Sequence, residues 1–100
     1  MNNQLLPIGS VITLKGATKK LLIAGITVQR EEDDKIYDYI GVPYPEGYID
    51  SETMFLFFHK DIEQVNFIGY VDAEAQMFRI NYAKKLKEDG IIIEDTEAQD

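Results

Sequence analysis

Apolar and polar positions alternate with a period of two from Ser10 to Lys15, placing Ile12 and Leu14 on one side and Val11, Thr13 and Lys15 on the other. β-Branched residues dominate the stretch, and the pattern predicts a strand. Residues 20–28 repeat it, with Leu22, Ala24, Ile26 and Val28 on one face. The segment Lys15-Gly16-Ala17-Thr18-Lys19 between them reads as the loop of an antiparallel hairpin. Gly25, inside the second strand, marks a bulge or a barrel corner, because glycine allows the bend a closing sheet needs. The polar run from Gln29 to Lys35 predicts an exposed connection. Strand character returns at Ile36, where Ile36, Ile40 and Val42 share a parity with Asp38 while Tyr37 and Tyr39 face the other way. Such two-sided patterning suits a sheet covered on both faces.

Pro43 lacks the ladder donor and ends that strand. In Tyr44-Pro45-Glu46-Gly47-Tyr48, Tyr44 is held out of the helical region by the following proline and Gly47 can take positive φ, so the segment is a loop. Met54-Phe55-Leu56-Phe57-Phe58 is too short for an independent helix, is rich in aromatics, and predicts a buried strand. Residues 59–64 can form one helical or 3₁₀ turn. A fifth strand is expected at Val65–Tyr70, where Val65, Phe67 and Gly69 alternate with Asn66, Ile68 and Tyr70.

The period then changes. Asp72 is placed as an N-cap, Ala75, Phe78, Tyr82 and Leu86 recur every three or four residues, and Lys84, Lys85 and Lys87 lie at the end where the helix dipole favours cations. With Gly90 as the C-cap, these positions predict a helix over about residues 72–89 whose Phe78, Tyr82 and Leu86 pack on the sheet. Ile91-Ile92-Ile93 is expected to pack back on the domain or touch a partner.

Composition narrows the class. At 100 residues with 45% apolar content, the chain is one folded domain, set at residues 1–93 with an acidic disordered tail at 94–100. It contains no cysteine, which removes disulfides and thiolate metal sites and fits a reducing compartment. Met1-Asn2-Asn3-Gln4 lacks the features of a signal peptide and no apolar run approaches a membrane span, so a cytoplasmic location is expected. The net charge of −8 is unevenly placed. Residues 1–30 carry Lys15, Lys19, Lys20 and Arg30 with no acid, and Glu31-Glu32-Asp33-Asp34 then reverses the sign. The acidic total weighs against nucleic acid and anionic membrane as partners.

Candidate chemistry is sparse. Gly16-Ala17-Thr18-Lys19-Lys20 lacks the glycine spacing and Lys-Ser/Thr pair of a phosphate loop, and Glu31 to Asp34 lacks the alternating ligands of a calcium loop. His59, Asp61 and Glu63 bring the only imidazole near carboxylates, but further metal or catalytic partners would have to arrive from elsewhere. Ser10 and Ser51 have no activating context. The residues point to no enzyme and no cofactor. The aromatic, proline-rich loop Pro43, Tyr44, Pro45, Glu46, Gly47 and Tyr48 is the candidate protein-contact surface, because it is rigid and amphipathic.

Leu6 to Gly16, Lys19 to Gly25, Tyr37 to Gly47 and Asp61 to Tyr70 together resemble a family of short uncharacterised proteins of Gram-positive bacteria, encoded beside type VII secretion genes and LXG polymorphic toxins. The chain departs from that pattern at Ala17, where a second glycine is expected, and at Ile26-Thr27, where a basic residue commonly follows the glycine. The resemblance implies a cytoplasmic accessory protein that binds a secreted toxin or another protein of its locus, and it carries no active-site residues. An immunity protein that blocks a cognate toxin is the alternative, and a nucleic-acid-binding small barrel using the basic hairpin stands behind both. The elements predict a mostly β, α+β fold: an SH3-like barrel or a strongly bent antiparallel sheet of about five strands, with a C-terminal amphipathic helix.

Overall fold

The computed structural model describes residues 5–90. Five antiparallel strands, β1 (Val11–Leu14), β2 (Lys20–Gln29), β3 (Ile36–Pro43), β4 (Phe55–Phe57) and β5 (Ile62–Phe67), form one sheet, and helix α1 (Ala73–Glu88) follows. The strand order is β4-β3-β2-β1-β5. The first and last strands in that order do not pair, so the expected antiparallel sheet of five strands with a C-terminal helix is present but is not closed into a barrel. Ile91 to Ile93 and the acidic tail lie outside the described residues.

The β1–β2 hairpin pairs Val11 with Leu22 and Ile12 with Leu21, and turns through Gly16 at φ +77°. Between β2 and β3 the register shifts between Ile23 and Gly25, the bulge expected at that glycine. A Cβ there would lie 2.9 Å from Ile40 Cγ2, so glycine also lets the two strands close up. The bulge has a further effect. It reverses side-chain parity along β2, so that Leu21 and Ile23 before it and Ile26 after it all reach the same core.

That core contains Leu5, Ile12, Leu21, Ile23, Tyr39, Phe57 and Leu86, with Tyr82 and Ile62 packed at its margin. Tyr39 is fully buried, and its hydroxyl accepts from Leu6 N–H at 2.8 Å and shares a hydrogen bond of 2.6 Å with His59 Nδ1. One phenol thus ties the N-terminal segment to the turn after β4.

Three expectations need correction. The 3₁₀ turn covers only His59–Asp61, and β5 begins at Ile62 rather than Val65, ending at Phe67. Two register shifts in its pairing with β1 leave Glu63 and Asn66 as extra residues, which obscures simple alternation. Of the segment Met54 to Phe58, only Phe57 is buried, because β4 is a three-residue edge strand whose Phe55 faces outward. Phe78 remains 54% exposed. The α1 stripe meets the sheet through Tyr82 and Leu86, while Phe78, a turn earlier, stacks on Tyr82 with centroids 5.2 Å apart.

The helix ends follow the sequence closely. Asp72 Oδ1 accepts from Ala75 N–H at 2.9 Å, and Gly90 follows the last turn at φ +78°. Between β5 and α1 the backbone passes close to residues 8–10. Gly69 N–H donates to the Oγ of fully buried Ser10 at 2.9 Å, and a Cβ on Gly69 would lie 2.3 Å from Ile8 O.

Candidate protein-contact surface

The loop after β3 is built from its own backbone and from the hairpin beside it. Gly47 N–H donates to Pro43 O at 2.7 Å and Gly47 takes φ +80°, which closes a turn. The Tyr44–Pro45 bond is cis. Tyr44 N–H donates to Lys20 O at 2.9 Å, and Lys19 Nζ lies 2.8 Å from Glu46 Oε1, so the loop is tethered to the β1–β2 hairpin at two points. The Lys19 ammonium holds the Glu46 carboxyl below its ordinary range. Asp50 caps the following short turn, its Oδ1 accepting from Glu52 and Thr53 N–H at 3.0 Å each.

Tethering leaves the rings outward. Tyr44 is 43% exposed, Tyr48 65%, and Ile49 is exposed beside them. Pro43, the last residue of β3, and Gly47 shape the turn, while Glu46 is committed to Lys19. The loop residues therefore divide into a scaffold of Pro43, Pro45, Glu46 and Gly47 and a display of Tyr44 and Tyr48.

The structure adds residues that the loop sequence does not announce. Val11 pairs with Phe67 across β1 and β5 and with Leu22 across β1 and β2, placing these three side chains on the sheet face opposite the Ile12 core. With Lys20, Tyr44 and Asn66 they line a hollow of about 400 Å³. Asn66 Nδ2 donates to Thr13 Oγ1 at 2.9 Å, which fixes one wall. Phe67 is 61% exposed at the rim. Tyr48 does not line this hollow, so of the two displayed tyrosines the structure brings only Tyr44 to it.

The weaker candidates are absorbed into structure. His59 engages Tyr39 through Nδ1 and Asp38 through its backbone N–H at 2.7 Å, and Asp61 Oδ2 accepts from Phe58 N–H at 3.0 Å. Ser10 serves Gly69. Of the hairpin-side cations, Lys19 is paired with Glu46, and Arg30 with Asp33 at 2.5 Å and Glu32 at 3.8 Å. The Arg30 hydrogen bond lowers the Asp33 pKa and raises that of Arg30. No group of three or more His, Cys, Asp or Glu able to hold a metal occurs among the described residues. No helix among them is long and apolar enough to cross a membrane.

On the core side, a groove runs between the N-terminal segment and α1. Ile8, Tyr70 and Phe78 stand at its rim, Ile26 and Tyr82 lie deeper, and Arg79 contributes the charged group; its free space is about 140 Å³. Nothing in the sequence pattern joins these residues, since they come from four separate stretches of chain.

No curated protein and no solved structure matches the chain. The profile of the family described as Domain of unknown function (DUF4176) matches residues 5–78, which take in all five strands and the first turns of α1, and the chain belongs to that family.

Proposed function

We propose that the protein is a non-enzymatic adaptor acting in the cytoplasm of a Gram-positive bacterium, where it binds a secreted toxin or another protein encoded in a type VII secretion locus. The observation that carries this reading is the hollow framed by Tyr44 and Phe67 on the sheet face that α1 leaves uncovered. Exposed aromatic rings held on a tethered turn and a paired strand suit a protein interface: large apolar area, few rotatable bonds, and a backbone already in place. Tyr44 and Phe67 are about half exposed, so covering them would contribute about 1–1.5 kcal/mol each before the cost of association. The locus and its toxin enter through the family resemblance.

The test is co-expression of the chain with each protein encoded beside it, followed by size-exclusion chromatography. A stable complex with at least one of them is expected. Absence of a complex with every one would overturn the reading. Rescue of cells from the cognate toxin by this chain alone would replace the adaptor by the immunity role.

A further inference from the structure

We propose that the groove between Leu5–Ile8 and α1 is a second contact site, which takes a partner segment presenting one Leu- or Phe-sized side chain with an Asp or Glu within a helical turn of it. The proposal deepens the adaptor reading and rests on it for the existence of a protein partner.

Size fixes the first half of this chemistry. The free space of about 140 Å³ is bounded by Ile8, Ile26, Tyr70, Phe78 and Tyr82. An apolar cavity of about 150 Å³ holds one benzene-sized group, so the groove accepts one large apolar side chain rather than a whole helix face. Its rim is already apolar and open, with Tyr70 82% exposed and Phe78 more than half exposed.

Charge fixes the second half. Among the described residues, Arg79 is the only charged side chain lining the groove. It is half-buried, its Nη2 donates to Leu5 O at 3.1 Å, and its Nη1 reaches Gln76 Oε1 only at 3.4 Å. Its Nε is buried with no hydrogen-bond partner among the described residues. Acids outnumber bases 18 to 10 in this chain; Lys19 and Lys85 each pair with one acid and Arg30 with two. Arg79 has no acidic partner among the described residues. A guanidinium held beside apolar rings without a counter-charge gains most from a carboxylate brought by the incoming segment, because burial of the groove removes competing water at the same moment. The groove opens on the core side of the sheet and the Tyr44–Phe67 hollow on the other, so two partners can be held at once.

Selection from a library of short random peptides displayed on phage, with the purified full chain as bait, tests this directly. Enriched peptides should pair a Leu, Ile, Met or Phe with a nearby Asp or Glu. They should bind the Arg79→Glu and Phe78→Ser variants at least about tenfold more weakly, and Tyr44→Ala unchanged. Arg79→Lys should retain most of the binding. Phe78 is over half exposed, so Phe78→Ser keeps the fold even if Arg79→Glu does not, and circular dichroism melts establish which variants are folded. Failure to enrich any peptide, enrichment without acids, or binding that survives Phe78→Ser would overturn the proposal. A concentration-dependent dimer that Phe78→Ser dissolves would assign the groove to a second copy and overturn it too. Peptide selection needs no protein of the locus, so its failure is distinct from failure of the co-expression experiment.

Discussion

Gly69→Ala is expected to be among the most damaging single-methyl additions to this protein. The added Cβ would lie 2.3 Å from Ile8 O, 3.0 Å from Ser10 N and 3.1 Å from Gly9 C, all of them backbone atoms. An ordinary carbon–oxygen contact is about 3.3 Å or more, so one of the two chains must move by roughly 1 Å. Neither is free to do so. Gly9 N–H donates to Ile23 O and Ile23 N–H to Ser10 O, each at 2.8 Å, which ties the Ile8 side to β2. Movement on the other side breaks the buried Gly69 N–H to Ser10 Oγ bond. Overpacking costs about 1–3 kcal/mol and an orphaned buried donor about 1–3 kcal/mol. Lower unfolded-state entropy of alanine returns about 0.4–1 kcal/mol. The net loss is about 1–5 kcal/mol, a fall in Tm of at least about 4 °C for a domain of this size. Ser10→Ala removes only the acceptor and should cost about 1–3 kcal/mol. Because the two changes share one hydrogen bond, the double variant should lose less than the sum. Urea unfolding followed by far-ultraviolet circular dichroism measures all three. A Gly69→Ala protein as stable as the parent would refute the close approach of residues 8–10 to residue 69, and with it the placement of Ile8 and Tyr70 around the groove.

Tyr39→Phe keeps the buried ring but strips Leu6 N–H and His59 Nδ1 of their shared partner, and should cost about 1–3 kcal/mol in urea unfolding. Asp72→Ala removes the oxygen that accepts Ala75 N–H and should cost about 0.5–2 kcal/mol, read as a lower midpoint at unchanged m-value. Glu46 should titrate below its ordinary value of 4.5 because Lys19 Nζ donates to its carboxylate. A depressed folded-state pKa contributes stability above the unfolded value that is lost as pH falls through the folded one, so the Lys19–Glu46 tether loosens only in acid. Carbon-13 NMR of the Glu46 carboxyl reads this, and Lys19→Met should raise the midpoint toward the ordinary range.

Local chemistry explains which features were legible in the sequence. The β1–β2 hairpin, the Gly25 bulge, the Asp72 cap and the outward tyrosines of the Pro43–Tyr48 loop each depend on residues close together in the chain. β5 was displaced because its start at Ile62 is set by pairing with Leu14, and the extra residues Glu63 and Asn66 break the period that would have revealed it. Exposure of Phe78 could not be read from helical spacing, which aligns it with Tyr82 and Leu86 but does not say where the sheet ends. Open sheet and closed barrel share the same strand pattern. They differ only in whether the edge strands β4 and β5 meet, a long-range fact. For the same reason the loop gave up Tyr44 but not Phe67, which reaches the hollow through the Val11 pairing.

Hydrogen exchange of the chain, free and bound to any protein with which co-expression yields a stable complex, tests the central claim most directly. The account predicts new protection in residues 43–48 and 64–67, and loss of that protection with the complex itself in a folded Tyr44→Ala, Phe67→Ala variant. Protection that leaves both segments untouched, or a variant that binds as tightly as the parent, would contradict it.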